Sequence, residues 1–564
     1  MTFIDGYDRY VGMHIVENKS RSEKSKKIYH SILLRESYRE KGKVKKRTIA
    51  NLSNCKPEEI AAIRLALKYR DNLSELGSLQ ESVELQEGLS FGAVWTVYQV
   101  CKRLGIEKAL GSGCSGKLAM WQAIARVIDQ GSRLSAVRLA QRHAACDVLD
   151  IGRGFDENDL YENLRWLADN QEKIEKALFC LRRKEGKPEI FLYDVTSSYL
   201  EGRKNFFGEY GYNRDGKKGK KQIVRGLLCD EFGEPVSTEV FAGNTQDTET
   251  FACQVRKAAE RFGCERVTFV GDRGMIKIPQ IENLPEGFHY ITAITKPQID
   301  SLIDRGVIQI GLFDEDVWDV EDNGLRYILR CNPVRVEQIN ESRISKRNSV
   351  EKLLEKKNTY LREHARAKVE VAIKDIHKKI VQLKIDKWLT VTCQGRTLKL
   401  EVDNKALEES SRLDGCYVIK TDLPKEAADK GIIHDRYKDL TEVERAFRTF
   451  KTDFLEVRPV YVQTEKSTRG HVLVVMLAYM IIRVLRRNWQ NFDLTVEEGL
   501  QQLSTLCSME MKVKNHAPVL KIPRPRETSK QLLRALDIKL PTVLPHREVR
   551  VVTRKKLVER RKLV

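Results

Sequence analysis

From Lys187 onward the chain changes texture: helical periodicity gives way to short, nearly continuous apolar runs. This limits the fold more than any other feature. EIFLYDVTSSYL reads as a strand, and QIVRGLLCDEFG and EPVSTEVFAG, joined through Asp230-Glu231-Phe232-Gly233, read as a hairpin. Thr248 to Phe262 is helical and is punctuated by Gly263, after which ERVTFVGDRGM and FHYITAITK are two further buried-strand candidates. Sequential strands, a helix and then more strands predict a mixed α/β domain built on a central sheet. Between about Lys296 and Asp414 that rhythm breaks, and the region reads as an insertion. It holds the strand-like WDVEDNGLRYILRC, one long charged helix from Ser349 to Lys384 that reads as a solvated strut, and the hairpin WLTVTCQGRTLKLEVD. The sheet texture resumes with DGCYVIKTDL, and a strong helix begins near Asp439.

At 564 residues the chain exceeds a single hydrophobic core. Six regions are expected: 1–56, a basic hairpin; 57–185, a helical DNA-binding domain; 186–296 and 415–490, two parts of the central-sheet domain; 297–414, the insertion; and 491–564, a looser C-terminal region. From Lys19 to Arg47 there are twelve Lys/Arg against three Asp/Glu, and KIYHSILLRESYRE and VKKRTIANL flank the turn Lys41-Gly42-Lys43. That hairpin is either a DNA contact or a sheet edge protected by lysines. PEEIAAIRLALKYRDNL and KLAMWQAIARVIDQ typify the helices that follow, and the basic RKKLVERRK lies near the C-terminus. The net charge of +20 makes a polyanion, most often nucleic acid, the natural partner. The apolar run from His471 to Leu485 is too short to span a bilayer and reads as a buried core helix. The N-terminal MTFIDGYDRYVG lacks the pattern of a signal peptide, so a cytoplasmic protein without a membrane partner is expected. The twelve cysteines show no C-x-x-C and are read as reduced, mostly buried thiols.

Three carboxylates stand where chemistry is expected. Asp194 lies in the apolar strand LYDVTSS, and Asp272 ends the run VTFVGDRGM. A carboxylate at a buried strand is costly unless it meets a cation or a hydrogen-bond partner. Either one alone reads equally well as an aspartate capping a turn. In DRYKDLTEVERAFRTFKTDF, Tyr437, Glu444 and Lys451 are spaced seven and seven. They fall within about 40° of one helix face, which Arg448 joins. Val443, Phe447, Phe450 and Phe454 form the neighbouring apolar stripe. In isolation the charged face is also what i, i+4 ion pairs produce.

Taken in this order, the segments resemble the DDE transposases of bacterial insertion sequences, most of all the branch with the signature Y-x2-R-x3-E-x6-K. This chain reads Tyr437-x2-Leu440-x3-Glu444-x6-Lys451, so leucine stands at the arginine position, and Arg448 on the same face is the candidate to take over its phosphate contact. YDVTSSYLEG and VGDRGM are similar to the family's strand motifs, and GNTQDTETF (Gly243 to Phe251) resembles its link into the following helix. The likeness runs from about Glu189 to Arg486, broken by the insertion. It implies a ribonuclease-H-like fold with a β-rich insertion before the glutamate helix. It also implies metal-dependent cleavage of DNA at mobile-element ends and strand transfer into target DNA. Two Mg2+ ions, which Mn2+ can replace, would be held by Asp194 as bridging ligand, Asp272 and Glu444. Tyr437, Arg448 and Lys451 would hold phosphates near the cut end. The partners implied are the element's terminal repeats and target DNA, with a homodimer in the DNA complex, on the nucleoid of a bacterium or archaeon. The loop Asn213–Lys221, with Lys217, Lys218, Lys220 and Lys221, either grips the entering DNA or is an ordinary solvated loop. Two alternatives share these residues: a metal-dependent nuclease on the same fold, and a DNA-binding derivative without catalysis.

Overall fold

The computed structural model describes residues 12–21, 28–40, 43–70, 83–182, 189–202, 204–214, 216–314, 317–451, 455, 460–513 and 518–554. The tail RKKLVERRK, apart from Arg554, and the segment MTFIDGYDRYV lie outside these residues, as does Phe454. Two compact units form: Met1–Gly88 with Ser508–Ile522 and Thr542–His546, and the remainder of the chain.

In the first unit β1 (Gly12–Arg21), β2 (Ile28–Glu40) and β3 (Lys43–Asn51) make an antiparallel sheet in the order β1-β2-β3. The basic hairpin is β2–β3, with Glu40 opposite Lys43; its turn, Lys41-Gly42, lies outside the described residues. Ion pairs Lys45–Glu40 at 2.5 Å and Arg47–Glu36 at 2.6 Å cross it. The helix Pro57–Lys68 follows. The stretch expected to be helical also contains a strand, β4 (Val83–Ser90). It pairs with Cys507–Val513 in a four-stranded sheet completed by Val519–Lys521 and Val543–Leu544. Local periodicity could not reveal a strand whose partner is at the far end of the chain.

The second unit holds an eight-stranded mixed sheet. Its strands are β5 (Ile190–Tyr199), β6 (Gln222–Asp230), β7 (Pro235–Ala242), β8 (Val267–Gly271), β9 (Phe288–Ala293), β10 (Trp318–Asp322), β11 (Leu325–Cys331) and β14 (Cys416–Thr421). The order is β10-β11-β14-β9-β8-β5-β6-β7. β5, β8 and β9 run parallel, while the other neighbours are antiparallel. Every residue of β6 and β8 is buried, as strands covered on both faces require. This is why they read as continuous apolar runs rather than alternating ones. Phe191, Phe251, Phe269 and Tyr290 anchor the core between the sheet and the helix Asp247–Arg256.

Three expectations are corrected. First, the insertion starts later than Lys296, because β10 and β11 belong to the main sheet. The true interruption between β11 and β14 is a helix pair, Pro333–Glu363 and Val369–Gln382, with the hairpin β12 (Leu389–Gln394)–β13 (Thr397–Val402) and the helix Asn404–Ser411. Second, the charged segment is therefore two helices. The first ends where Arg396 donates to the carbonyls of Leu361, His364 and Ala367, satisfying helix-end acceptors. The fold-back buries Val350, Leu361, Ile376 and Ile380 together. Third, the apolar run at His471 belongs to a 25-residue helix, Glu465–Trp489, that is long and apolar enough to cross a membrane. Its most apolar window is 83% buried. It packs against Cys114–Ile128, Glu157–Asp169 and β7, so it is a core helix by burial rather than by length. The cysteines are thiols, four buried, two exposed and six between, so they are less buried than expected.

Candidate active site

The parallel pair β5–β8 places the first two carboxylates. Tyr193 of β5 is in register with Gly271, the last residue of β8, so Asp194 and Asp272 each follow a paired position on neighbouring strands. Sites of open α/β sheets lie at this carboxyl edge of the parallel strands. The third carboxylate comes from the helix Leu440–Lys451, which packs against β5. Val443, Phe447 and Phe450 are buried on it, and Phe450 meets Tyr479 edge-on at 5.2 Å. Burying each of these side chains stabilises the helix by roughly 1.5–3 kcal/mol, and this turns Glu444, Arg448 and Lys451 toward the sheet edge.

Asp194, Asp272, Glu444, Arg448 and Lys451 line a single open cavity of about 320 Å³, together with Thr196, Met275, Phe447, Arg214 and Asp247. Asp194 is half-buried, whereas Asp272 and Glu444 are exposed. The Asp194 carboxylate accepts from the Val195 N–H at 2.7 Å, and Asp272 accepts from the Arg273 N–H at 2.7 Å. Burial raises the Asp194 carboxyl to about 7; the charges of Asp272 and Glu444 add to this, while Arg214 and the Val195 N–H oppose it. The cavity is thus a place of concentrated negative potential with two cations along one wall. Among the described residues no three His, Cys, Asp or Glu side chains are drawn close enough to form a ready-made ion cage.

Tyr437 does not share a helix with Glu444, which corrects the expectation of one continuous face. It belongs to Lys430–Lys438, and Asp439 separates the two helices. Its phenol is still close to the site: burial, then the charge of Asp272, with Glu444 behind, pushes it far above its ordinary value. The loop lysines line neither this cavity nor its neighbour. Lys220 pairs with Glu201 at 2.7 Å and Lys221 with Glu209 at 3.9 Å, Lys217 lies over the Tyr199 ring at 5.9 Å, and Lys218 is exposed.

Sequence reasoning missed Arg214 and Asp247. One guanidinium nitrogen of Arg214 donates to both Asp247 oxygens, at 2.7 and 2.6 Å, and its main-chain N–H donates to Ser197 Oγ at 2.9 Å. Asp247 opens the helix Asp247–Arg256, where a negative charge suits the helix dipole. Each residue lay inside a segment already singled out, but nothing local marks them as partners 33 positions apart.

Residues 16–81 match the model of the IS1634 family transposase N-terminal domain, and residues 185–481 match that of the transposase DDE domain. No curated protein matches the sequence. Among solved structures, a cryo-EM structure of a piggyBac transposase synaptic complex with hairpin DNA is 8% identical, with 73% of this chain and 75% of that chain covered and a TM-score of 0.32. With more than half of its length matched by the DDE-domain model, the chain belongs to the DDE transposases.

Proposed function

We propose that this transposase cuts DNA at the ends of its mobile element and joins them to target DNA in the cavity lined by Asp194, Asp272 and Glu444. The observation that carries the reading is the convergence of these three carboxylates, from two parallel strands and one helix, in one cavity beside Arg448 and Lys451. The order β7-β6-β5-β8-β9, antiparallel through the first three strands and then parallel, supports a ribonuclease-H-like core. Its sequence limits are 186–296 and 415–490, with β10 and β11 added from the segment between.

The donor set suits a hard divalent cation: all three candidate ligands are carboxylates, and Asp194 carries a destabilised charge that a cation would relieve. Mg2+ is the expected ion, with Mn2+ able to replace it. Two such ions would activate the attacking oxygen and neutralise the leaving one. Asp194, Asp272 and Glu444 would hold these ions, with Asp194, which the register of β5 and β8 puts next to Asp272, the ligand expected to be shared. Arg448 and Lys451 hold non-bridging phosphate oxygens in place, and Tyr437 supports that wall. The N-terminal sheet, the helices up to residue 182 and the lysines of the Asn213–Lys221 loop contact DNA away from the reacting phosphate. Two element ends acting together make a homodimer on DNA the expected assembly.

The test is cleavage and joining of duplexes carrying the element ends, with Mg2+, by the wild type and Glu444→Gln. Metal-dependent 3′ ends that join a target, lost in the variant while end binding persists, is the expected result. Cutting without joining in the wild type would assign a nuclease instead, and cutting that survives Glu444→Gln would remove Glu444 from the site.

A further inference from the structure

A second cavity, about 300 Å³, adjoins the first, and the two share the residues Arg214 and Asp247 in their linings. The ion pair is thus the wall between them. On its far side stand Tyr212, Asn244, Gln246, Thr248 and Lys277. We propose that this second cavity is a subsite for one nucleotide of the DNA strand, the one attached to the phosphate under attack, and that Arg214 grips that phosphate at the threshold. The proposal rests on the carboxylate cavity being where the chemistry occurs.

Size, lining and rigidity all fit. The volume lies at the low end of the roughly 300–1,000 Å³ typical of small-ligand sites, so it admits a single nucleotide and excludes a duplex. Single strands are held by positive charge together with an aromatic face on which a base stacks. Tyr212 offers such a face: it is 82% exposed, and the guanidinium of Arg214 lies over its ring at 5.7 Å. Asn244 and Gln246 bring amide donors and acceptors suited to a base edge.

The rim is built to stay in place. A Cβ on Gly211 would sit 2.1 Å from the Gly243 carbonyl oxygen, and one on Gly243 would sit 2.1 Å from that of Gln222, so only glycines allow these segments to touch. The buried amide of Gln222 donates to the carbonyls of Tyr212 at 3.0 Å and Gly243 at 2.8 Å, locking the two sides together. Arg214 is similarly pre-set. Asp247 engages one of its nitrogens, and among the described residues Nε and the other terminal nitrogen donate to no protein group. Those donors are available to a phosphate, which guanidinium groups bind through paired hydrogen bonds. Asp247 is then a positioning residue, which aims Arg214 through the ion pair.

Binding is measured in the Glu444→Gln background, so no cutting intervenes, with an element-end duplex made abasic in turn at each nucleotide bordering the scissile phosphate. At one of these two positions, loss of the base is expected to weaken binding about fivefold or more. Tyr212→Ala should weaken binding to intact DNA to a similar degree and make the protein indifferent to the missing base. Because Tyr212 is exposed, an unchanged melting temperature is the folding control. An abasic penalty equal in the two proteins, or absent at both positions, overturns the base subsite. In a Glu444 protein, Arg214→Gln should slow cleavage of bound DNA about a hundredfold; an unchanged rate removes Arg214 from the phosphate. Failure of the carboxylate reading would show separately, as cutting that persists in Glu444→Gln.

Discussion

Asp194 shows how a single residue can register its surroundings. Three influences raise its carboxyl to about 7: burial first, then Asp272 and Glu444. The folded chain therefore holds the proton more tightly than the unfolded one. The stability this contributes is complete below the ordinary carboxylate range and is lost as pH climbs through about 7. In chelator, the thermal unfolding midpoint is expected to fall between about pH 5 and 8, and Asp194→Asn should flatten that fall. A divalent cation can take the proton's place, so it should raise the midpoint at the upper end of this range and do little at the lower end. Identical profiles for wild type and Asp194→Asn would detach the carboxyl from both effects.

At the scale of elements, close backbone approach decides more than apolar content. The helix Glu465–Trp489 crosses Glu157–Asp169 so tightly that a Cβ on Gly470 would lie 2.0 Å from the Leu164 carbonyl oxygen. Within a helix, Gly→Ala ordinarily stabilises by about 1 kcal/mol. Here Gly470→Ala is expected to destabilise by roughly 1–3 kcal/mol, because the added methyl has to push two packed helices apart. Urea unfolding reads the sign directly, and a stabilised variant would show that the crossing is looser than described. The glutamate helix follows the same logic. It is short, so packing of Val443, Phe447 and Phe450, more than helix propensity, aims Glu444 at the sheet edge.

Across the whole molecule, both ends of the chain contribute to one compact unit. Within its sheet β4 neighbours Cys507–Val513, its last residue Ser90 also bridges to His143, and three of the four strands in that sheet come from beyond residue 506. A chain ending at Leu506 is therefore expected to lose hydrogen-exchange protection at Val83–Ser90 while β5, β8 and β9 keep theirs. Protection that survives at Val83–Ser90 would contradict the pairing.

The reading from residues alone reached the strands around Asp194 and Asp272, the antiparallel pairs β2–β3 and β12–β13, the core helix at His471 and the transposase family. The family came from the resemblance of the motifs around Asp194, Asp272 and Glu444 to those of DDE transposases, whereas the strands, hairpins and helix follow from apolar runs, turn residues and spacings within a few residues of one another. Three carboxylates could be named as candidates in the same way, since a charge beside a buried strand is conspicuous. Other features depended on segments remote in the chain: the strand at Val83, membership of β10 and β11 in the main sheet, and the Arg214–Asp247 wall between two cavities. The break between Tyr437 and Glu444 belongs with them, because an uninterrupted 3.6-residue rhythm carries no mark of it. Contacts between such segments exist only after the chain has closed on itself, so no local pattern encodes them; packing and long-range pairing supplied the answer.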